Sequence, residues 1–470
     1  VLSHSQFILD QFSPVSIYMK IEKLFPDEVT LFFESAEVSS EANYSFITVG
    51  SLERLQYKNS ETLYTQYSST QKIAQNPFEF LKGYYSSLDR DSYLQKSKEL
   101  GVGFIDGFIG YIGYESIEIF EPTMKPYIAK LENEIDIPDI DLVRPELILA
   151  YSHRDSKMTL ISSDSKMSRR FDEIESFIKE SYEFQPLQKV ESLEDGFFTH
   201  SKSEFFEMVR ESKKMIRSGD VFQILISNRY REQLGNIDPF SFYRLLRSKN
   251  PSPYMFFMNY GDFHIVGSSP EVMVRLTEGE ILLRPIAGTR KRGNSAKRDK
   301  ELQDEMLNDP KERAEHLMLI DLGRNDVGRV AKSGTVKVPN IMRVEKYSHV
   351  MHMVTDINAE IDERFDMFDL LGATFTAGTM TGAPKIRAME LISEYEGVKR
   401  NFYSGTVALF GFDGNMDSAI TIRTALIKDK KIFLQAGAGV VADSIEELEY
   451  LEIQNKMNAL LATLKELKEL

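Results

Sequence analysis

Along its 470 residues the chain mixes strand-like apolar runs with amphipathic helical stretches in no regular alternation, and that irregularity limits the fold more than any other feature. A doubly wound parallel sheet needs a helical crossover between successive strands. Here VTLFFESAE, NYSFITVG, FIDGFIGYIGYE, PELILAYSHR and KMTLISSD are short apolar runs with polar punctuation, the pattern of strands joined by turns. SKSEFFEMVRESKKMIRSGD opens on Ser201 and stops at Gly219, so it carries both helix signals. VFQILISNRY reads as a strand, DPFSFYRLLRSKN as a short helix, and PYMFFMNY with HIVGSS as an antiparallel pair. MVRLTEGEILLRPI reads as a hairpin turning at Glu278 and Gly279. Residues 296–330 read as two helices broken at Asp309 and Pro310, a cap and a first-turn proline. Strands YSHVMHMVTDI, SGTVALFGF, SAITIRTALI and KIFLQAGAGV, a helix KIRAMELISEYE and a terminal helix from Ser444 complete the pattern. It predicts an α+β fold of layered, mainly antiparallel sheets. The charged segment 165–194 is the best boundary, dividing residues 1–195 from 196–470.

Composition excludes several chemistries. There is no cysteine, hence no disulfide, thiolate metal site or thiol nucleophile. Lys plus Arg number 57 against 72 Asp plus Glu, a net charge of −15, which argues against a nucleic-acid or anionic-membrane surface. No apolar run approaches the roughly 20 residues of a membrane span, and VLSHSQFILDQF lacks a basic region followed by an apolar block. The expectation is a soluble cytoplasmic protein, and an anionic substrate would need local positive charge.

Among the motifs, Gly437, Gly439 and Ala442 match GxGxxA, but the 28 residues that follow read as one helix, leaving no place for the returning strand of a dinucleotide fold. GTMTGAPK fails the nucleotide-loop pattern because Lys385 follows Ala383 and Pro384. Two acidic pairs carry more weight: Glu312 with Glu315, and Glu449 with Glu452, each three apart on an expected helix and so on one face. A solvated helix face is the commoner source of such pairs; carboxylates from two helices converging on Mg²⁺ is the other. Lys456 lies one turn beyond Glu452. His316 adjoins Glu315, while His349 and His352 differ in strand parity, so one of those two faces a given pocket. The loop TAGTMTGAP has two readings, a plain helix entry or an anion-binding turn.

The blocks GDVFQILISNRY, PSPYMFFMNYGDFHIVGSSPEV, RPIAGTRKRG, DPKERAEHLMLIDLGRNDVGRV, VEKYSHVMHMV, TAGTMTGAPKIRAMELI, YSGTVALFGFDGNMDSAITIRT and LQAGAGVVADSIEELEYLEIQNK run in order from Gly219 to Lys456. Together they resemble the chorismate-utilising enzymes, most closely the large subunits of anthranilate synthase, component I. The resemblance implies an α/β/β/α sandwich of large antiparallel sheets under outer helices. It implies a catalytic domain over 196–470 and a tryptophan regulatory site in the region 1–195. It implies Mg²⁺ held by Glu315 and Glu452, with Glu312 and Glu449 acting through water, and the ring carboxylate of chorismate on the metal beside Thr379 and Lys456. It further implies that Arg423, Tyr403 and the backbone of Gly437, Ala438 and Gly439 hold the enolpyruvyl carboxylate, that Ala287, Gly288 and Thr289 line the substrate, and that His352 and Thr379 are catalytic. The implied reaction is amination of chorismate by ammonia to 2-amino-2-deoxyisochorismate, then loss of pyruvate to give anthranilate.

Sister enzymes are told apart at two positions. Isochorismate and salicylate synthases carry a water-activating lysine where this chain has Gln223, and aminodeoxychorismate synthases a nucleophilic lysine where it has Ala287. Neither side chain supplies an amine, which leaves direct attack by ammonia; aminodeoxychorismate synthase component I, or another chorismate-using synthase, is the alternative. Family members often receive ammonia from a glutamine amidotransferase with a cysteine nucleophile, and a chain without cysteine would need it as a separate subunit. LFFESAE and NPSPYM match the family's tryptophan inhibitor site, which implies feedback inhibition at Glu34, Ser35, Pro253, Tyr254 and Met255, with Asn250, Pro251 and Ser252 alongside. Phe32 and Phe33 replace two leucines of that pattern, and Ser45 stands where some members place a basic residue.

Overall fold

The computed structural model describes residues 2–34, 44–181, 184–347 and 350–470. Among the described residues two large sheets and one small sheet form the frame, with thirteen, ten and three strands. The thirteen-stranded sheet runs from Ser3–Ile8 through Thr30–Glu34, Tyr254–Asn259, Phe263–Ser269 and Thr424–Lys428 to Lys431–Val440 and Gln223–Asn236. The ten-stranded sheet has Val272–Thr277, Met416–Ile420, Thr406–Gly411 and Gly107–Ile112 at its centre, and the small sheet is Ile286–Lys291, Val350–Val354 and Arg343–Lys346. The pairing is antiparallel, as expected.

Side-chain parity explains the layering. In Tyr254–Asn259, Phe256 and Met258 enter the core between the two large sheets, while Met255 and Phe257 enter a second core under the helices. That second core takes Phe205, Met208 and Val209 of helix Lys202–Ser218 and Ile453, Met457 and Leu460 of helix Glu446–Glu469. Phe368 and Leu371 of helix Met367–Thr374 pack in the core with the ten-stranded sheet. The result is α/β/β/α. Both large sheets cross the boundary drawn at 195: Glu34 registers with Met255, and Phe108 with Phe410. Among the described residues no helix is long and apolar enough to cross a membrane.

Local signals act where expected. Ser201 and Glu204 form a reciprocal capping box and Gly219 closes the helix in the left-handed region. Asp309 accepts from the N–H groups of Lys311 and Glu312, separating Ala296–Asn308 from Pro310–Gly328. Gly437 and Gly439 lie within a strand, in register with Ser227 and Leu225 of its antiparallel neighbour, and do not form a dinucleotide turn. Two differences matter. SAITIRTALI, expected as one strand, is two: Met416–Ile420 in the ten-stranded sheet and Thr424–Lys428 in the thirteen-stranded one, with Arg423 at φ +52° between them. The chain changes sheets in the same way at Pro270 and Glu271, between Phe263–Ser269 and Val272–Thr277. Helices Pro14–Leu24, Pro77–Ser86 and Arg90–Leu100 occupy the first half between the strand-like runs, where their short patterns escape a reading tuned to alternation.

Candidate active site

The two sheet changes deliver polar groups to one place, because each ends a strand and turns its next residues off the sheet plane. Glu271 follows one crossover and Arg423 sits in the other; Ser268 N–H donates to the carbonyl of Arg423 and Ile420 N–H to that of Glu271. Glu271 is buried, accepts from Thr379 Oγ1 at 3.0 Å, and is pushed up to about 8 by burial, opposed by Thr379, the Lys456 charge and the Ile286 backbone. It therefore carries a proton at neutral pH. Thr379 stands in the short turn Gly378–Met380 of the TAGTMTGAP loop.

The Lys456 charge that reaches this carboxyl also reaches Glu315, Glu449 and Glu452 of the two acidic pairs. Glu315 accepts from Gln223 Nε2 at 3.1 Å, and its carboxyl is raised by burial and by the neighbouring Glu452. Glu449 is buried and likewise raised, by burial first. Glu452 pairs with Lys456 Nζ at 2.7 Å, and the same ammonium donates to Gly437 O at 2.8 Å. Glu312 binds Arg290 through Oε1 at 2.6 Å, while its Oε2 is buried without a hydrogen bond. Burial sets Glu315 and Glu449 apart from a solvated face, while the Glu452 side chain is 45% exposed and held by Lys456. Among the described residues no three His, Cys, Asp or Glu side chains close into a metal cluster.

Backbone geometry opens room for the carboxylates. In Ile286–Lys291 a bulge separates Ala287, which faces Met353, from Thr289, which faces His352. The extra residue is Gly288, at φ +62°, and a Cβ there would overlap Glu312 Oε2. A Cβ on Gly439 would stand 2.5 Å from Gln223 Nε2, and one on Gly437 3.0 Å from the Tyr403 hydroxyl. Ala438, between them, has its side chain in the helix-side core, so only its backbone faces the cleft. Tyr403 is buried, and burial lowers the pKa of Arg423, whose Nη1 donates to Lys456 O at 3.1 Å.

His352 shares a hydrogen bond between Nδ1 and Thr289 Oγ1 at 2.9 Å; burial, with the Arg423 charge, holds it down to about 4, so the ring is neutral. His316, buried and bonded to Thr355 Oγ1 at 2.7 Å, is a core histidine. His349 lies outside the described residues.

A separate cavity of about 950 Å³ is lined by Glu34, Pro253, Tyr254 and Met255 together with Phe46, Phe104, Arg275 and Asp417. The Glu34 carboxylate accepts from Tyr243 at 2.6 Å and from Arg247 at 3.1 Å. Tyr254 donates to Asp417 at 2.9 Å and accepts from Arg275 at 2.8 Å. Asn250 donates to Ser268 at 3.1 Å, whose hydroxyl donates to Ser252 at 2.8 Å. Ser45 bonds His153 at 2.8 Å, and Ser35 lies outside the described residues.

Glu271 is the functional group that sequence reading missed. Its signal was an acidic residue inside an otherwise apolar stretch, FHIVGSSPEVMVRL. Gln223 gains a second meaning: its Nε2 must face the accepting carboxylate of Glu315, which leaves a buried Oε1 without a partner.

Residues 29–462 match the family model of the chorismate binding enzymes. The chain is 38% identical to anthranilate synthase component 1 of Aquifex aeolicus, over 98% of this chain and 94% of that one. It is 37% identical to anthranilate synthase component 1 of Acetivibrio thermocellus, with the same coverage. Among solved structures, anthranilate synthase component I of Streptococcus pneumoniae superposes with a TM-score of 0.78 at 30% identity, covering 97% of this chain and 98% of that one. The chain therefore belongs to the chorismate binding enzyme family, in its anthranilate synthase component I group.

Proposed function

We propose that the protein is a cytoplasmic anthranilate synthase large subunit, joining ammonia to chorismate and releasing pyruvate to form anthranilate. The observation that carries this reading is the pairing of a protonated acid, Glu271, with two positions that hold no amine, Gln223 and Ala287, around one carboxylate-lined cleft. An acid is needed to release a hydroxyl from the ring as water, and an amine-free site leaves the nucleophile to come from solution. The runner-up, aminodeoxychorismate or isochorismate synthesis, would be favoured by a lysine at either position.

Mg²⁺ fits the donors present. They are oxygen-only, Glu312 Oε2 is buried and unpaired, Gly288 keeps a cradle open in front of it, and burial and repulsion press on Glu315 and Glu449. Glu315 and Glu452 would hold the ion, with Glu312 and Glu449 acting through water. When bound it would offset the charge of the ring carboxylate and draw electrons from the adjacent ring carbon.

The chain's own residues supply the rest. Arg423, desolvated and donating to the Lys456 carbonyl, suits the enolpyruvyl carboxylate, with Tyr403 and the N–H groups near Gly437 and Gly439 beside it. Glu271 gives its proton to the departing hydroxyl as ammonia adds. Thr379, bonded to Glu271, orients that carboxyl. His352, neutral and held by Thr289, takes the ring proton in the second half, when pyruvate leaves. These 470 residues hold no cysteine, so glutamine use would draw on an amidotransferase nucleophile from outside them, which we read as a partner subunit. The cavity at Glu34, Pro253, Tyr254 and Met255 is proposed to bind tryptophan as inhibitor, its volume lying within the range of about 300–1,000 Å³ common for small-molecule sites. The test is to incubate the chain with chorismate, ammonium and Mg²⁺, with and without chelator, and identify the product. Anthranilate formed only with metal supports the reading; a para-aminated or hydroxylated product, or no turnover, overturns it.

A further inference from the structure

Behind the groups placed on substrate above lies a buried ion pair. Arg400 and Glu396 are 1% and 2% exposed. A guanidinium has five N–H donors in a rigid fork, and here five hydrogen bonds are formed. Nε and Nη2 donate to Glu396 Oε2 at 2.8 Å and Oε1 at 2.6 Å. Nη1 donates to Met380 O at 2.8 Å and Ser404 Oγ at 3.2 Å, and Nη2 to Leu225 O at 2.9 Å. Glu396 Oε1 also accepts from Ser227 N–H and Ser227 Oγ, both at 2.8 Å.

Each acceptor is next to a site group. Met380 follows Thr379, which orients Glu271. Ser404 follows Tyr403, whose ring lies 5.6 Å from the guanidinium. Leu225 registers with Gly439 and Ser227 with Gly437, on the strand that also carries Gln223. Three segments far apart in sequence are thus tied by one fork. A buried ion pair is weak evidence for stability, because desolvation offsets much of its attraction. Directional bonds to two main-chain carbonyls and one hydroxyl, on three separate segments, are what this pair adds over an apolar replacement.

We propose that Arg400, oriented by Glu396, is a positioning residue for the chorismate reaction: it sets Thr379, Tyr403 and the Gly437–Gly439 backbone relative to one another without touching substrate. The inference rests on the function proposed above. A displacement of about 1 Å from a change remote from the chemistry can cost on the order of a hundredfold in rate. Lysine at 400 keeps the charge opposite Glu396 but offers three donors on a tetrahedral ammonium in place of the five of the planar fork, so it cannot make all of these bonds.

Arg144 is the matched control. It forms a similar fork, partly buried, with Asp106 and Glu53 at 2.7 and 2.6 Å, among residues given no part in the site. R400K and R144K are compared by circular dichroism, melting and ammonia-dependent kinetics at a temperature where both are folded. R400K is expected to raise the chorismate KM and lower kcat by roughly tenfold or more each, with R144K within about twofold on both, although both lower Tm. Equal kinetic losses in the two variants, or wild-type constants in R400K, overturn the proposal. If R400K does not fold, Ser404→Ala and Ser227→Ala decide it: each removes one hydroxyl of the network and is expected to cost about threefold or more in kcat/KM, and unchanged kcat/KM in both overturns it. Absence of anthranilate from the wild-type chain would instead refute the function itself.

Discussion

Replacing Glu271 by glutamine removes the proton that the amination step uses while keeping the shape of the side chain and an oxygen for Thr379. Positioned general acids contribute about 10²–10⁴-fold, so kcat should fall in that range with the chorismate KM nearly unchanged. The same variant has a stability signature. The folded-state pKa lies above the ordinary 4.5, at about 8. Its proton therefore favours the folded state fully below about pH 4.5, and that contribution drains away as pH rises to 8. At 1.36 kcal/mol per unit, the loss across this window is about 5 kcal/mol. Glutamine does not titrate, so the stability of E271Q relative to wild type should rise between pH 5 and pH 8.5 by an amount of that order. Denaturant melts at both pH values, beside kcat profiles with ammonia, measure both effects. A pH-independent stability difference, or kcat within threefold of wild type, would refute the assignment of Glu271 as a buried, protonated acid.

Three further outcomes are expected. Gly288→Ala places a Cβ against Glu312 Oε2 and 3.2 Å from Met306 Cγ in a left-handed conformation, at a cost of about 1–2 kcal/mol from the backbone alone; a thermal melt like that of wild type would show that the bulge yields freely. Mg²⁺ should raise the melting temperature of the chain, by the equivalent of about 2.7 kcal/mol at a hundred times its Kd, and Glu315→Gln should abolish the shift; identical shifts in both proteins would move the ion elsewhere. The chain has no tryptophan, so indole emission comes from added ligand alone. Titrated tryptophan should gain anisotropy and slow anthranilate formation, and if it does neither the cavity at Glu34 and Tyr254 is not an inhibitor site.

What the amino-acid order determined was local. Glu312 with Glu315 and Glu449 with Glu452 share helix faces because helical periodicity is a property of neighbours, and Asp309 and Ser201 cap helix starts with their side chains while Gly219 closes a helix with its backbone. The antiparallel character was legible from short runs and turns, and the absent amines at Gln223 and Ala287 from identity alone. Tertiary structure decided what depends on partners distant in the chain. The two large sheets take strands from both sides of residue 195, because an antiparallel edge pairs with whichever strand buries its face, here Thr30–Glu34 beside Tyr254–Asn259. Whether a glutamate pair meets solvent or a cleft depends on the opposing helix. The protonated state of Glu271 follows from burial at a sheet change, which no periodicity announces, and the five bonds of Arg400 join segments around 225, 380 and 404. Desolvation and directional hydrogen bonding across such separations set the chemistry of the site, and both exist only once the sheets have packed.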